Sequence, residues 1–185
     1  MLIGGARSGK SRYAQEMAEK SGQVVLFVAT AEAGDEEMRH RIAKHRQVRP
    51  KTWRTLEATR NIGRQLRRKI GQAQMVIIDC ITLLVSNILT RYTDETGEPT
   101  AGAEVIEQEV TTEIDGLIET MNSVDASFII VTNEVGEGLV PPNAIGRLYR
   151  DLLGRANQML ARQADEVYLM VAGLPLKVKP TEHSG

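Results

Sequence analysis

The sequence predicts an α/β fold, a mostly parallel central sheet with helices on both faces. Two observations carry this. Short apolar, β-branched runs alternate with longer amphipathic segments, the pattern of parallel strands joined by crossover helices. Residues Gly4-Gly5-Ala6-Arg7-Ser8-Gly9-Lys10-Ser11 also fit G-x-x-x-x-G-K-[ST] without a mismatch, directly behind the apolar Met1-Leu2-Ile3. The chain therefore opens as strand, phosphate-binding loop (P-loop) and helix.

The elements follow in order. Only about three residues precede Gly4, a short first strand for such a loop. A helix is expected over about 10–20, then a buried strand, Val24-Val25-Leu26-Phe27-Val28-Ala29. Helices over 35–48 and 58–71 lead to the strand Met75-Val76-Ile77-Ile78, which ends in Asp79. A helix over 81–91 precedes the polar, turn-rich stretch 92–102, expected to be an exposed, mobile loop. Helices over 103–122 and 143–164 show apolar residues at three- and four-residue spacing and flank the strand Ser127-Phe128-Ile129-Ile130-Val131-Thr132. Glu166-Val167-Tyr168-Leu169-Met170-Val171 is the next strand, and Leu176 to Val178 pairs with it after a Gly173-Leu174-Pro175 turn. With 185 residues and no internal repeat, the expected organisation is a single domain over 1–179 and a frayed tail over 180–185.

Composition narrows the function. A net charge of -1 and 4% aromatics argue against a general nucleic-acid binder, which needs a basic surface or a stacking platform. No apolar run approaches a membrane span, and no basic-then-apolar leader is seen. The single cysteine, Cys80, rules out an internal disulfide and suits a reducing cytoplasm.

Four segments carry candidate chemistry. In the P-loop, glycines let backbone amides close on anionic oxygens, Lys10 would place its ammonium on the β/γ-phosphates, and Ser11 would offer its hydroxyl to Mg²⁺. Asp79, at a strand's carboxyl end, reads either as an acid that meets Mg²⁺ or the nucleotide, or as a cap for the following helix. Arg41, Lys44, His45, Arg46 and Arg49 form a basic cluster with 41, 45 and 49 on one helix face. It reads either as a solvated basic face or as a covalent site, whose cations keep His45 neutral and nucleophilic and offset charge at a phosphorus under attack. Thr132-Asn133-Glu134-Val135-Gly136-Glu137-Gly138 follows a strand and either faces the P-loop crevice or supplies ordinary caps. Further on, Arg147, Arg150 and Arg155 either reach phosphate, form subunit contacts, or stay exposed with an Arg147–Asp151 i,i+4 pair.

Together these segments resemble the bifunctional adenosylcobinamide kinase / adenosylcobinamide-phosphate guanylyltransferase family of cobalamin biosynthesis. The resemblance covers nearly the whole chain. It rests on GGARSGKS (4–11), VAT (28–30), DEEMRHRIAKHR (35–46), RPKTWRTLE (49–57), IIDCITLLVSN (77–87), VTNEVGEGLVP (131–141) and RDLLGRANQMLARQADEVYLMVAG (150–173). It implies a RecA-like P-loop NTPase fold and two reactions. ATP or GTP phosphorylates adenosylcobinamide, and GMP then passes from GTP, through a guanylyl-histidine, to adenosylcobinamide phosphate. The matching histidine is His45, which turns the basic cluster into the covalent site. Lys10 joins it as catalytic. Nucleotide contacts map to Gly4, Gly5, Ala6, Arg7, Ser8, Gly9, Lys10 and Ser11, to Ala29, Thr30 and Ala31, to Arg46, Gln47, Val48 and Arg49, and to Glu57 and Asp79. Mg²⁺, GTP and ATP as co-substrates, a corrinoid substrate, a cytoplasmic location and a homotrimer are implied with them. The alternative is a plain P-loop small-molecule kinase without a covalent step, which leaves the His45 cluster and VTNEVG without a role.

Overall fold

The computed structural model describes residues 1–34, 36–47 and 49–180; of Glu37, Met38, Arg41 and His45 it describes the backbone. A seven-stranded sheet runs β3-β2-β4-β5-β1-β6-β7. Its strands are β1 (Leu2–Ile3), β2 (Val25–Ala29), β3 (Arg54–Glu57), β4 (Met75–Asp79), β5 (Ser127–Val131), β6 (Val167–Val171) and β7 (Leu174–Lys179). All neighbours pair in parallel except β6 and β7. The helices are α1 (Lys10–Ser21), α2 (Glu36–Gln47), α3 (Ile62–Lys69), α4 (Ile81–Thr90), α5 (Ala103–Ser123) and α6 (Ala144–Gln163).

The central strands are apolar on both sides because both sides are covered. Along β2, Leu26 and Val28 join the layer beneath α3, α4, α5 and α6, while Val25, Phe27 and Ala29 join the layer beneath α1. Each fully buried Leu, Ile or Phe in these layers is worth roughly 1.5–3 kcal/mol of transfer free energy. β1 is as short as expected, yet it is buried between two strands. Its pairing continues past its end, with Thr132 N donating to Leu2 O at 3.0 Å and Glu134 N to Gly4 O at 3.0 Å.

The structure corrects several expectations. The sequence reading missed β3, an edge strand with mostly exposed residues that is held by its ladder to β2. The helix expected from 58 starts at Ile62. Ala58 N still donates to Ala29 O at 3.0 Å, and Asn61 is left-handed at φ 49°. Glu113 of α5 accepts from the amides of Asn61 and Ile62, both at 2.7 Å, and so caps α3 from another helix. The final turn falls at Ala172-Gly173, with φ 50° and 87°, the two-residue hairpin geometry. Leu174 and Pro175 are thus already in β7, where an edge strand tolerates proline. The stretch 92–102 is exposed but pinned. Asp94 Oδ1 accepts from Thr96 N at 2.9 Å and Glu98 N at 3.0 Å, and Thr100 N donates to Tyr92 O at 2.7 Å. The tail residues 181–185 lie outside the described residues.

Candidate functional site

A cleft of about 1120 Å³ opens along the carboxyl ends of the parallel strands, where open α/β sheets bind ligands. The P-loop forms one wall. Gly4 sits at φ +153°, and a Cβ there would lie 2.5 Å from Met170 O, so β6 packs directly against the loop. Gly173 in the β6–β7 turn donates its amide to Ser8 O at 2.9 Å and supports the loop from outside. Lys10 is buried, with its Nζ 2.6 Å from Gly5 O, 3.0 Å from Gly4 O and 3.3 Å from Ser8 Oγ. Burial lowers its pKa, while the nearby Cys80 and Asp79 act in the opposite sense.

Asp79 lines the cleft at the end of β4. The cap position of α4 belongs to Cys80, and it makes no side-chain cap bond. Burial, with Asp79 adding to it, pushes the Cys80 thiol up to about 11. The far wall comes from α2 and β3. Arg46 of α2 forms an ion pair with Glu57 of β3, and both line the cleft. The Arg49 guanidinium lies 3.6 Å from the Phe27 ring centroid, and its Nη1 is 3.3 Å from Thr55 Oγ1. Burial lowers its pKa, opposed by the Asp79 carboxylate, but a guanidinium remains charged.

Of the expected nucleotide contacts, Ala6, Arg7, Ser8, Gly9, Lys10, Ser11, Ala29, Ala31, Arg46, Arg49, Glu57 and Asp79 line this one cleft. Gly4 and Gly5 instead offer carbonyls to Lys10, and Gln47 does not line it. Val48 lies outside the described residues, as does the side chain of His45; its backbone belongs to α2. Thr30 departs from expectation. It is fully buried and does not line the cleft. Its hydroxyl accepts from Cys80 N and donates to Cys80 O, both at 2.7 Å; its amide donates to Asp79 O at 3.2 Å; and its carbonyl accepts from Asn87 Nδ2 at 2.8 Å. The polar atoms of Thr30 thus brace the end of β2 against the end of β4, the α4 cap residue Cys80 and α4 itself.

A second brace runs through the VTNEVG segment. Thr132 Oγ1 donates to Asn157 Oδ1 at 2.7 Å, Asn157 Nδ2 to Asn133 O at 3.0 Å, and Asn133 N to Thr82 Oγ1 at 2.7 Å. The cap of α6 is Asn143, whose Oδ1 accepts from Gly146 N at 2.9 Å, rather than Asn133 or Glu134. Arg147 makes no pair with Asp151; it donates to Pro141 O and Pro142 O, at 3.0 and 2.8 Å, and Asp151 pairs with Arg150 at 3.5 Å. The sequence reading missed Thr82 and Asn87, whose polar ends have no local pattern.

Ser11 and Asp79 share the cleft and offer a hydroxyl and a carboxylate oxygen. This is the hard-oxygen set that suits Mg²⁺ when phosphates and waters supply the remaining ligands. Among the described residues no group of three or more His, Cys, Asp and Glu could hold a metal without such help.

A family model described as cobinamide kinase / cobinamide phosphate guanyltransferase matches residues 1–178. The chain is 40% identical to the bifunctional adenosylcobalamin biosynthesis protein CobU of Escherichia coli K12, over 97% of this chain and 98% of the relative. It is 38% identical to the CobU protein of Salmonella typhimurium, over 97% and 98%, and to the bifunctional CobP protein of Pseudomonas aeruginosa, over 97% and 96%. Among solved structures, the RadB recombinase superposes with a TM-score of 0.49 and 16% identity, over 91% of this chain and 73% of its own. The P-loop cleft and these full-length matches agree: the chain belongs to the cobinamide kinase / cobinamide phosphate guanyltransferase family.

Proposed function

We propose that this chain carries out both reactions of its family. It phosphorylates the aminopropanol hydroxyl of adenosylcobinamide with ATP or GTP, then transfers GMP from GTP to the resulting phosphate, giving adenosyl-GDP-cobinamide. The observation that carries the reading is the single cleft that joins the P-loop wall, Lys10 and Ser11, to the α2–β3 wall, Arg46, Arg49 and Glu57, with Asp79 between them. The plain-kinase alternative leaves the His45 cluster on that second wall without a role.

In this reading the P-loop amides and Lys10 hold the triphosphate; to do so, the Lys10 ammonium exchanges the Gly4 and Gly5 carbonyls for phosphate oxygens. Ser11 and Asp79 would hold Mg²⁺, which when bound offsets charge on the phosphates. The His45 imidazole attacks the α-phosphorus, the bond to the bridging oxygen breaks, and pyrophosphate leaves. An oxygen of the cobinamide phosphate then attacks the same phosphorus and releases His45. Arg46 and Arg49 stabilise the charge that builds on the phosphorus oxygens. The helix bearing His45 is expected to shift toward the nucleotide for this step. A homotrimer, to be checked by sedimentation equilibrium, and a cytoplasmic setting belong to the same proposal. No helix among the described residues is long and apolar enough to cross a membrane.

The test is the fate of α-labelled GTP. Incubated with GTP and Mg²⁺, the protein should take up an acid-labile, base-stable label, located on His45 by mass spectrometry. His45→Ala should abolish the label and spare phosphoryl transfer. A label that persists in that variant removes His45 as the nucleophile.

A further inference from the structure

We propose that Asn133 hydrogen-bonds the terminal phosphoryl group while it is transferred to the acceptor hydroxyl, and that it takes no part in the guanylyl step; this rests on the two-reaction reading above. Asn133 lines the cleft that holds Lys10, Ser11 and Asp79. Its main chain is clamped at both ends, the amide by Thr82 Oγ1 at 2.7 Å and the carbonyl by Asn157 Nδ2 at 3.0 Å. The residues on either side, Thr132 and Glu134, hydrogen-bond the P-loop strand at Leu2 O and Gly4 O, each at 3.0 Å. Three separate elements, β1, α4 and α6, therefore fix the main chain that carries this one side chain. Among the described residues its carboxamide has no hydrogen-bond partner. A carboxamide on so firmly held a main chain, lining the same cleft as the phosphate loop, is a ready donor to a phosphoryl oxygen.

The sheet order separates this position from the guanylyl wall. β5, which Asn133 follows, is the immediate neighbour of β1, whereas α2 follows β2, two strands away across β4. With adjacent strands about 4.8 Å apart, the strand that Asn133 follows is one strand from the P-loop strand and two strands, about 9.6 Å, from the strand leading to α2. In the transfer, the acceptor oxygen forms the new bond to the γ-phosphorus. The bond to the β,γ-bridging oxygen breaks, its electron pair leaves with the nucleoside diphosphate, and the hydroxyl proton passes to water. Asn133 donates to a non-bridging oxygen throughout and exchanges no proton.

The experiment measures both reactions in the full chain carrying Asn133→Ala or Asn133→Leu. One assay follows γ-labelled ATP with adenosylcobinamide, the other α-label on the protein from GTP, and a thermal melt controls for folding. Both variants should lose about 10²–10³-fold in kcat for phosphoryl transfer. The KM for nucleotide and the α-label should stay within about threefold, since the P-loop carries nucleotide binding. Asn133→Leu keeps the approximate side-chain size and the main-chain clamps and adds no charge beside the phosphates, so it reads the loss of the donor even where the alanine variant folds poorly. Parallel loss of both reactions, or a raised KM with kcat unchanged, overturns the proposal. If the wild-type chain takes no α-label, the guanylyl-histidine reading fails by itself, while a kcat loss in phosphoryl transfer still supports the role of Asn133.

Discussion

Thr30→Val tests whether Thr30 touches the nucleotide or holds the floor of the site together. Valine keeps the shape and burial of the side chain and deletes the hydroxyl. Two 2.7 Å hydrogen bonds to the main chain of Cys80 are lost. One orphans an amide donor beside a fully buried residue, at a cost of about 1–3 kcal/mol, and the other removes a bond worth about 0.5–1.5 kcal/mol. The expected destabilisation is about 3 kcal/mol, or roughly 6–12 °C in Tm for a domain of this size. Urea unfolding and calorimetry measure it, with Thr30→Ser as the variant that restores the hydroxyl and the stability. Isothermal titration with GTP supplies the second arm. The expected loss of affinity is the part that follows from displacement of Asp79, since Thr30 N bonds Asp79 O at 3.2 Å. A valine variant as stable as wild type but weakened toward GTP would refute the brace and put the hydroxyl on the nucleotide.

Two further predictions use groups away from the phosphates. Gly63 packs onto the Gly116 carbonyl where α3 crosses α5, and alanine should act oppositely at the two glycines: a Cβ on Gly63 would lie 2.2 Å from Gly116 O, whereas one on Gly116 meets nothing within 4 Å. Gly63→Ala should cost about 1–3 kcal/mol through overpacking, and Gly116→Ala should be neutral or stabilising by up to about 1 kcal/mol; equal urea midpoints for the two variants would contradict the packing. Cys80, the single cysteine, should resist alkylation. With its thiol at about 11, the thiolate fraction at pH 8 is about 10⁻³, against about 0.2 in the unfolded chain, so iodoacetamide should react roughly 200-fold more slowly before unfolding than after. The folded thiol keeps its proton longer than the unfolded one. Its contribution to stability is therefore complete below about pH 8.5 and fades as pH rises through about 11. Native alkylation as fast as in urea would contradict the burial.

The sequence by itself determined what depends on local pattern. The spacing of Gly4, Gly9, Lys10 and Ser11 specified the phosphate loop, because its backbone geometry is encoded within eight residues. Apolar runs specified β2, β4, β5 and β6, because a strand covered on both faces is apolar throughout. Periodicity located the helices, since an amphipathic face repeats every three to four residues. The tertiary structure alone decided the rest. β3 carries one apolar residue, Leu56, between polar neighbours; it is a strand because β2 offers it a ladder, and no periodicity announces that. Arg147 could have met Asp151 one turn along its helix, but the chain folds Pro141 and Pro142 within its reach, and two carbonyls replace an exposed ion pair of little worth. Thr30 and Cys80 are 50 residues apart, Asn157 and Thr132 25 apart. Hydrogen bonds at such separations depend on which strands become neighbours, and the order β3-β2-β4-β5-β1 emerges only once the whole sheet has buried its two faces.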